Sequence, residues 1–383
     1  MPLPSVIEAD MTLVRNSGFF SAEWYVARYP DVALSGIDPL THFLSFGTLL
    51  GRDPGPNFSS LYHREHYGPG VVGRRNALVH HLCNPDAQGQ EDRVLMAAGR
   101  LAATGQPEQA LDRARRDLPM DLRHSAAALE ANLAIARHDL AGWEAALNRY
   151  LAHYGQVPLK LDRDAATMLE RLACAPLPTV AEGPLVSVLM AVWNCDGTVE
   201  AAISSILAQT WRPLELLIVD DASTDRTWNT IQRMAARDGR IRCWRNGRNV
   251  GPYVSKNLAL RHARGDFVTG HDGDDWAHPQ RLAHHVGYML TDGQALPVTG
   301  LKALRMQPDG TFTYLSRART AFSDDGFLRH APISFMFRQD FLIQTLGFWD
   351  NVRFGGDTEL SRRAQAATGG PVPERPFVGM ICL

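Results

Sequence analysis

A chain of 383 residues, 45% of them hydrophobic, is long enough for two or three domains with substantial cores. Its formal net charge of -2 gives no electrostatic footing for a nucleic-acid partner. Five scattered cysteines without a CxxC pair exclude a disulfide framework and a structural zinc site, and suit a reducing cytoplasm.

The first ten residues, MPLPSVIEAD, have neither a basic n-region nor an apolar h-region, so no signal peptide is expected. No run reaches the roughly 18 apolar residues of a spanning helix, which leaves a cytoplasmic protein, soluble or peripheral to a membrane. Residues 1–90 carry a degenerate repeat. FSAEWY from Phe20 returns as FSSLYH from Phe58, and the same offset pairs Tyr29 with Tyr67, Leu40 with Leu78 and His42 with His80. Recurring aromatic and leucine positions predict a small helical unit that buries one face twice, with the histidines on packing faces rather than on a metal. Residues 91–178 read as helical hairpins: GQPEQAL (Gly105–Leu111) is echoed by AGWEAAL (Ala141–Leu147) at a spacing close to a tetratricopeptide unit. This region is expected to act as a spacer or to dock a protein partner. A Pro-containing stretch, Ala175–Pro184, marks the boundary.

From 183 to 383 the pattern becomes alternating strands and helices. VSVLMAV (Val186–Val192) is a continuous apolar run, as a parallel strand buried on both faces requires, and LELLIV (Leu214–Val219) is a second, ending in Asp220-Asp221. A helix is expected from about Thr198 to Gln209 and another near Val254–Ala263, with IRCWR and DFVTG as further strands. The fold class is α/β, an open sheet preceded by an all-α region. Ligands on such sheets bind at the carboxyl ends of strands, where Asn194, Asp220 and Asp272 all fall.

GDFVTGHDGDDW (Gly265–Trp276) sets Asp272, Asp274 and Asp275 within four positions at the end of a strand. Two carboxylates about 4 Å apart repel by roughly 4 kcal/mol at an effective dielectric near 20. Such a cluster needs full solvation, raised pKa values or a bound cation. An oxygen-only donor set favours Mg²⁺ or Mn²⁺, ions that commonly grip phosphate oxygens.

Five blocks in order, VSVLMAVWN, SILAQTWRPLELLIVDDASTD, NVGPYVSKNLAL, GDFVTGHDGDDW and FGGDTEL, make residues 185–368 resemble an inverting family-2 glycosyltransferase of the GT-A fold. The resemblance covers about half the chain. It implies non-processive transfer of a sugar from a nucleotide-sugar donor, UDP-linked by preference, to a glycan or other hydroxyl acceptor. Carried over residue by residue, Asp220 would accept a hydrogen bond from the base, and Trp193 would stack on it. Asp272 and Asp274 match the DxD motif. Asp274 would ligate the divalent ion, while Asp272 would meet the ribose or share the ion. Gly273 would let the loop approach the diphosphate, and Lys256 would lie near the phosphates. Asp275 is a weaker candidate ligand, and Asn257 reads equally well as a structural hydrogen-bonder. In FGGDTEL, Asp357 would be the general base, with Glu359 in reserve, although Gly356 stands where the family usually has glutamate. The first half of the N-terminal repeat resembles one often appended to bacterial glycosyltransferases. The apolar run FVGMICL stops at Leu383, so an acceptor-side element is expected to be missing.

Two other enzyme classes fit less well. AVWNCDGTVE lacks the G-x-G-x-x-G of a nicotinamide enzyme, and no Gly-rich basic loop follows the first strand to hold the triphosphate of a nucleotidyltransferase. A catalytically inactive scaffold acting through its N-terminal repeats is the alternative from another class; the acids retained at every expected strand end count against it.

Overall fold

The computed structural model describes residues 8–47, 50, 52–55, 58, 60, 76–83, 106–290, 296–313 and 323–383. The chain divides into two compact units, Met1–Ala126 with Tyr314–Ala318, and Ala127–Thr313 with Arg319–Leu383.

Short helices build the first unit, among them Ala22–Arg28, Pro39–His42 and Ala77–Cys83. Ser21 caps the first of these by accepting from the Trp24 N–H, and Asp38 caps the second by accepting from Thr41. Tyr25, Leu40, Phe43 and Leu78 share one core, so Leu40 and its repeat partner Leu78 bury the same side. His42 and His80 are buried beside it. The Tyr25 hydroxyl lies 3.1 Å from His42 Nδ1, and burial pulls the His42 pKa down, as a packed imidazole requires. Tyr67 of the repeat lies outside the described residues, as does Gly105 of the helical echo.

In the second unit a two-stranded ribbon (β1, Leu159–Leu161; β2, Leu172–Cys174) precedes the main sheet. That sheet comprises β3 (Val186–Val192), β4 (Leu214–Asp220), β5 (Ile241–Arg245), β6 (Phe267–Gly270), β7 (Asp275–Ala277), β8 (Val298–Met306), β9 (Phe312–Thr313), β10 (Arg329–His330), β11 (Met336–Arg338) and β12 (Glu374–Cys382). The order along it is β5-β4-β3-β6-β11-β8-β12-β7, with β9 and β10 paired to β8. β3 to β6 are mutually parallel. β11 reverses direction between β6 and β8, and the run FVGMICL lies in β12, parallel to β8. Alternate residues of the first strands enter two different cores. Val188, Met190, Leu216 and Ile218 pack on the side of helix Val199–Leu207, while Leu189, Leu217 and Val219 face Leu260 of helix Pro252–Arg261. Continuous apolar runs are therefore required, since neither face meets water.

Helices Ala126–Ala136 and Leu140–His153 are built into this unit as well. The Trp143 indole stacks on Phe312 at 5.4 Å and donates to the Gly310 carbonyl. Asn132 exchanges two hydrogen bonds with the Phe312 backbone. The Tyr150 and Tyr154 hydroxyls both donate to Asp325, at 2.6 and 2.8 Å, and Gln156 pairs with the Val378 backbone on β12. The composition change at Ala175–Pro184 thus lies inside the second unit, and the echoed helices, Pro107–Asp117 and Leu140–His153, fall in different units. A fragment starting at Ala127 is expected to melt cooperatively. One starting near Val180 should melt earlier or aggregate, because Phe312 and Val378 lose their cover. In the intact chain Trp143→Ala should cost about 3–5 kcal/mol. Denaturation of both fragments checks this; equal stability would mean the contacts of residues 127–156 contribute nothing.

Candidate active site

The carboxyl ends of β3, β4 and β6 open onto one edge of the sheet, and the loops there are tied together by short side chains. Asn194 adopts a left-handed φ of 50°. Its N–H donates to Ser223 Oγ, and its Oδ1 accepts from the Thr224 N–H at 2.8 Å. Asn194 thereby pins the loop after β3 to the loop after β4. Trp193, beside it, is 54% exposed and presents an open ring.

The two aspartates closing β4 have separate tasks. Asp221 accepts from Asn246 Nδ2 and from the Val250 and Gly251 N–H groups, at 2.8 to 2.9 Å, so it fixes the start of helix Pro252–Arg261. Asp220 is fully buried. Its Oδ2 accepts from the Ser223 N–H and pairs with Arg245 Nε at 2.9 Å, whereas Oδ1 has no hydrogen-bond partner. A buried carboxylate oxygen left open is costly, and a donor supplied from outside relieves that cost.

Helix Pro252–Arg261 carries Lys256 into the interior, 1% exposed. Its Nζ donates to both oxygens of Asp357, at 3.3 and 3.1 Å, and stands 3.5 Å from Asp272 Oδ1. Burial works against the ammonium, but Asp272 and Asp357 outweigh it and hold the Lys256 pKa above the usual lysine range. Asp357 sits in the first turn of helix Gly356–Thr368, where an acid suits the helix dipole. It accepts also from Trp349 Nε1 at 2.9 Å and from the Tyr253 hydroxyl at 3.4 Å. Asn257 is structural: its side chain brackets the Trp349 backbone, accepting from its N–H and donating to its carbonyl. Glutamate is absent at position 356 for a steric reason. A Cβ on Gly356 would lie 2.8 Å from the Tyr253 ring. Glu359 is turned along its helix into a bidentate pair with Arg363, both contacts 2.6 Å, and takes no part in the cluster.

The acid triplet splits three ways. Asp272 is half exposed and faces Lys256. Asp274 presents an edge to solvent yet is crowded by protein; burial first, and the charge of Asp272 second, push its pKa up. Asp275 opens β7 and is buried, with its pKa raised well above the usual range by burial and then by Asp272 and Asp274. Gly273 is required by packing, since a Cβ there would lie 2.6 Å from Val192 Cγ1. Under the loop the fully buried Arg281 donates to the Gly270 carbonyl at 2.7 Å and to Thr269 Oγ1, and contacts His271. Among the described residues, no three His, Cys, Asp or Glu side chains converge on a point a metal ion could fill. The hard carboxylate donors of Asp272 and Asp274, with their mutual repulsion, nevertheless fit a divalent cation that draws its other ligands from a diphosphate and water.

Thus the fold unites Asp272, Lys256 and Asp357, sets Asp220 at the end of β4 and Asn194 on the loop after β3, and leaves Glu359 outside. Sequence reasoning missed Trp349, Tyr253, Arg245 and Arg281. The last opens the helix RLAHHVGYML, where the sequence shows it as one polar residue beside two histidines and offers no signal of its role.

Residues 187–342 match the family model described as Glycosyl transferase family 2. The chain is 35% identical over 108 residues to the UDP-Glc:alpha-D-GlcNAc-diphosphoundecaprenol beta-1,3-glucosyltransferase WfaP of Escherichia coli, covering 28% of this chain and 42% of that protein. It is 30% identical over 218 residues to the succinoglycan biosynthesis protein ExoO of Rhizobium meliloti, covering 53% of this chain and 62% of that one. The matches therefore span less than two thirds of either relative's length. Residues 187–342 therefore form a glycosyltransferase family 2 domain of the GT-A fold, with the acids at its strand ends.

Proposed function

We propose that this protein transfers a sugar from a nucleotide-diphosphate sugar, UDP-linked by preference, to a hydroxyl of a glycan or other acceptor in a single, inverting displacement. The observation that carries this reading is the chain Asp272–Lys256–Asp357, in which one buried ammonium lies within 3.5 Å of both carboxylates. Asp272 and Asp274 would hold a divalent ion, Mn²⁺ or Mg²⁺, which supplies charge neutralisation for the departing diphosphate. Asp357 takes the acceptor hydroxyl proton as the new bond to the anomeric carbon forms and the bond to the diphosphate oxygen breaks. Once Asp357 is protonated, Lys256 keeps only Asp272 as a charged partner, so its positive charge is released toward the leaving group. Trp349 and Tyr253 hold the Asp357 carboxyl in place. No step here calls for more than one transfer per encounter, and the N-terminal unit is left to dock a partner or serve as a spacer.

Asp220 gives the test. Its open Oδ1 suits a ring N–H, which uracil and guanine offer and cytosine and adenine do not. Wild-type protein with Mn²⁺ should bind UDP or GDP more tightly than CDP or ADP. Asp220→Asn should weaken the preferred nucleotide by about 10-fold or more, the loss expected when a hydrogen bond to a charged group goes. Calorimetric titration of the four diphosphates reads this directly. Equal affinity for all four, unchanged in the variant, would overturn the donor assignment and favour a scaffold.

A further inference from the structure

Beyond the acid cluster, the same end of the sheet carries two arginines with no acid of their own. Across β9, β8, β12 and β7 the register aligns Thr313, Arg305, Cys382 and Asp275 in one row, Thr313 opposite Arg305, Arg305 opposite Cys382 and Cys382 opposite Asp275. In-register neighbours project from the same face, so these four side chains stand side by side. Arg329 on β10 pairs with Ala303, two residues before Arg305 and on that face too, and its guanidinium donates to Thr313 Oγ1 at 2.9 Å.

Neither guanidinium has an acid at ion-pair distance among the described residues. The Arg329 Nε is buried and has no hydrogen-bond partner. Burial, and then the like charge of Arg305, pull the Arg329 pKa down to about 10. Arg305 is exposed, and its charge acts on Asp274, Asp275 and Cys382 without closing on any of them. Two facing cations with open donors need an anion as much as the neighbouring carboxylates need a cation.

The sheet order tells which substrate brings it. Asp220 closes β4, and β3, β6 and β11 intervene before β8, so along the sheet the arginine pair stands beyond β6, the strand that leads into Asp272, on the side away from the nucleotide-base position. A donor whose base reaches Asp220 and whose diphosphate reaches Asp272 leaves this end of the sheet to the other substrate. We propose that Arg305 and Arg329 bind a phosphate group carried by the acceptor. A phosphate dianion matches two guanidinium charges and offers the several acceptor oxygens their forks require; a carboxylate would leave one charge uncompensated. This inference rests on the transfer reading above, because it takes its acceptor from that reading.

The test uses the full chain and inorganic phosphate, titrated calorimetrically in chelator so that no divalent ion competes, with acetate as the comparison anion. Phosphate should bind the wild type and weaken by about 10-fold in Arg305→Gln and in Arg329→Gln, with acetate much weaker throughout. UDP affinity, measured separately with Mn²⁺, should be unchanged in both variants, and saturating UDP should leave phosphate binding intact. Arg329→Lys, which keeps the charge, guards against a folding defect at the half-buried site, and Arg305→Gln at the exposed site carries the test by itself. Wild-type phosphate affinity in Arg305→Gln would overturn the proposal. So would displacement of phosphate by UDP, which would assign the pair to the donor diphosphate, or acetate binding as tight as phosphate. A protein that binds phosphate at this pair but no nucleotide would instead refute the transfer reading.

Discussion

Asp357→Asn is expected to lower kcat by about 10²–10⁴-fold, the usual contribution of a general base, while affinity for the nucleotide-sugar donor stays close to wild type. The substitution is geometrically mild. The asparagine oxygen still accepts from Trp349 Nε1 or Lys256 Nζ, so the helix Gly356–Thr368 and the packing of Gly356 on Tyr253 are kept. What is lost is the proton acceptor and one of the two charges facing Lys256. A buried ammonium left with Asp272 alone should reduce folding stability by about 1–3 kcal/mol, which a denaturant titration separates from the turnover defect. Glu359→Gln is the matched control. Its carboxylate is spent on Arg363, so turnover should stay within about 2-fold while only a partly exposed i,i+4 pair is lost, worth about 0.3–0.5 kcal/mol. A pure turnover loss in Glu359→Gln would move the base there. A donor-affinity loss in Asp357→Asn equal to the kcat loss would make Asp357 a positioning residue for Lys256.

The parts of this site that were legible in the sequence are those where chemistry and local pattern coincide. A run such as VSVLMAV is unambiguous because a strand buried on both faces has no polar side, and acids at the ends of such runs stand at the sheet edge by topology alone. Asp220, Asp272 and Asp274 stand at that edge, where the pattern puts them. What escaped depends on contacts between distant segments. Asp220 and Asp221 are neighbours of the same type, yet one ties down the loop that leads into a helix while the other keeps an open oxygen, and only the path of Asn246–Gly251 decides which. Asp357 and Lys256 are joined across a separation of 101 residues, with Trp349 brought beside them by Asn257. Arg281 reads as an ordinary helical polar residue until the loop after β6 is seen to rest on it. The helices of residues 127–153 show the same limit. Their periodicity marks them as helical hairpins, but nothing in it says that Trp143 will close over Gly310 and Phe312 or that Tyr150 will reach Asp325.

Removing a charge from the acid cluster should have opposite effects with and without metal. Burial and the charge of Asp272 raise the Asp274 pKa, and Asp275 is raised further by both neighbours. A carboxyl whose folded pKa lies above its unfolded value loses stability as pH climbs through that interval, because the folded state holds its proton longer. At neutral pH, then, the metal-free cluster is a net cost, and Asp274→Asn in chelator should melt slightly higher than wild type, with a flatter decline above the usual carboxylate range. In saturating Mn²⁺ or Mg²⁺ with UDP the order should invert. Ligand-bound wild type gains stability by mass action, whereas the variant has lost a charged oxygen ligand and should gain little. Transfer activity should then fall by about 10²-fold or more, since stabilisation of the departing diphosphate is worth several kcal/mol. Thermal melts in chelator and in metal plus UDP, with UDP titrations under both conditions, read all three quantities. If wild-type UDP affinity is the same in chelator as in Mn²⁺, the carboxylates are not metal ligands, and Lys256 must balance the diphosphate from beside Asp272 without an ion.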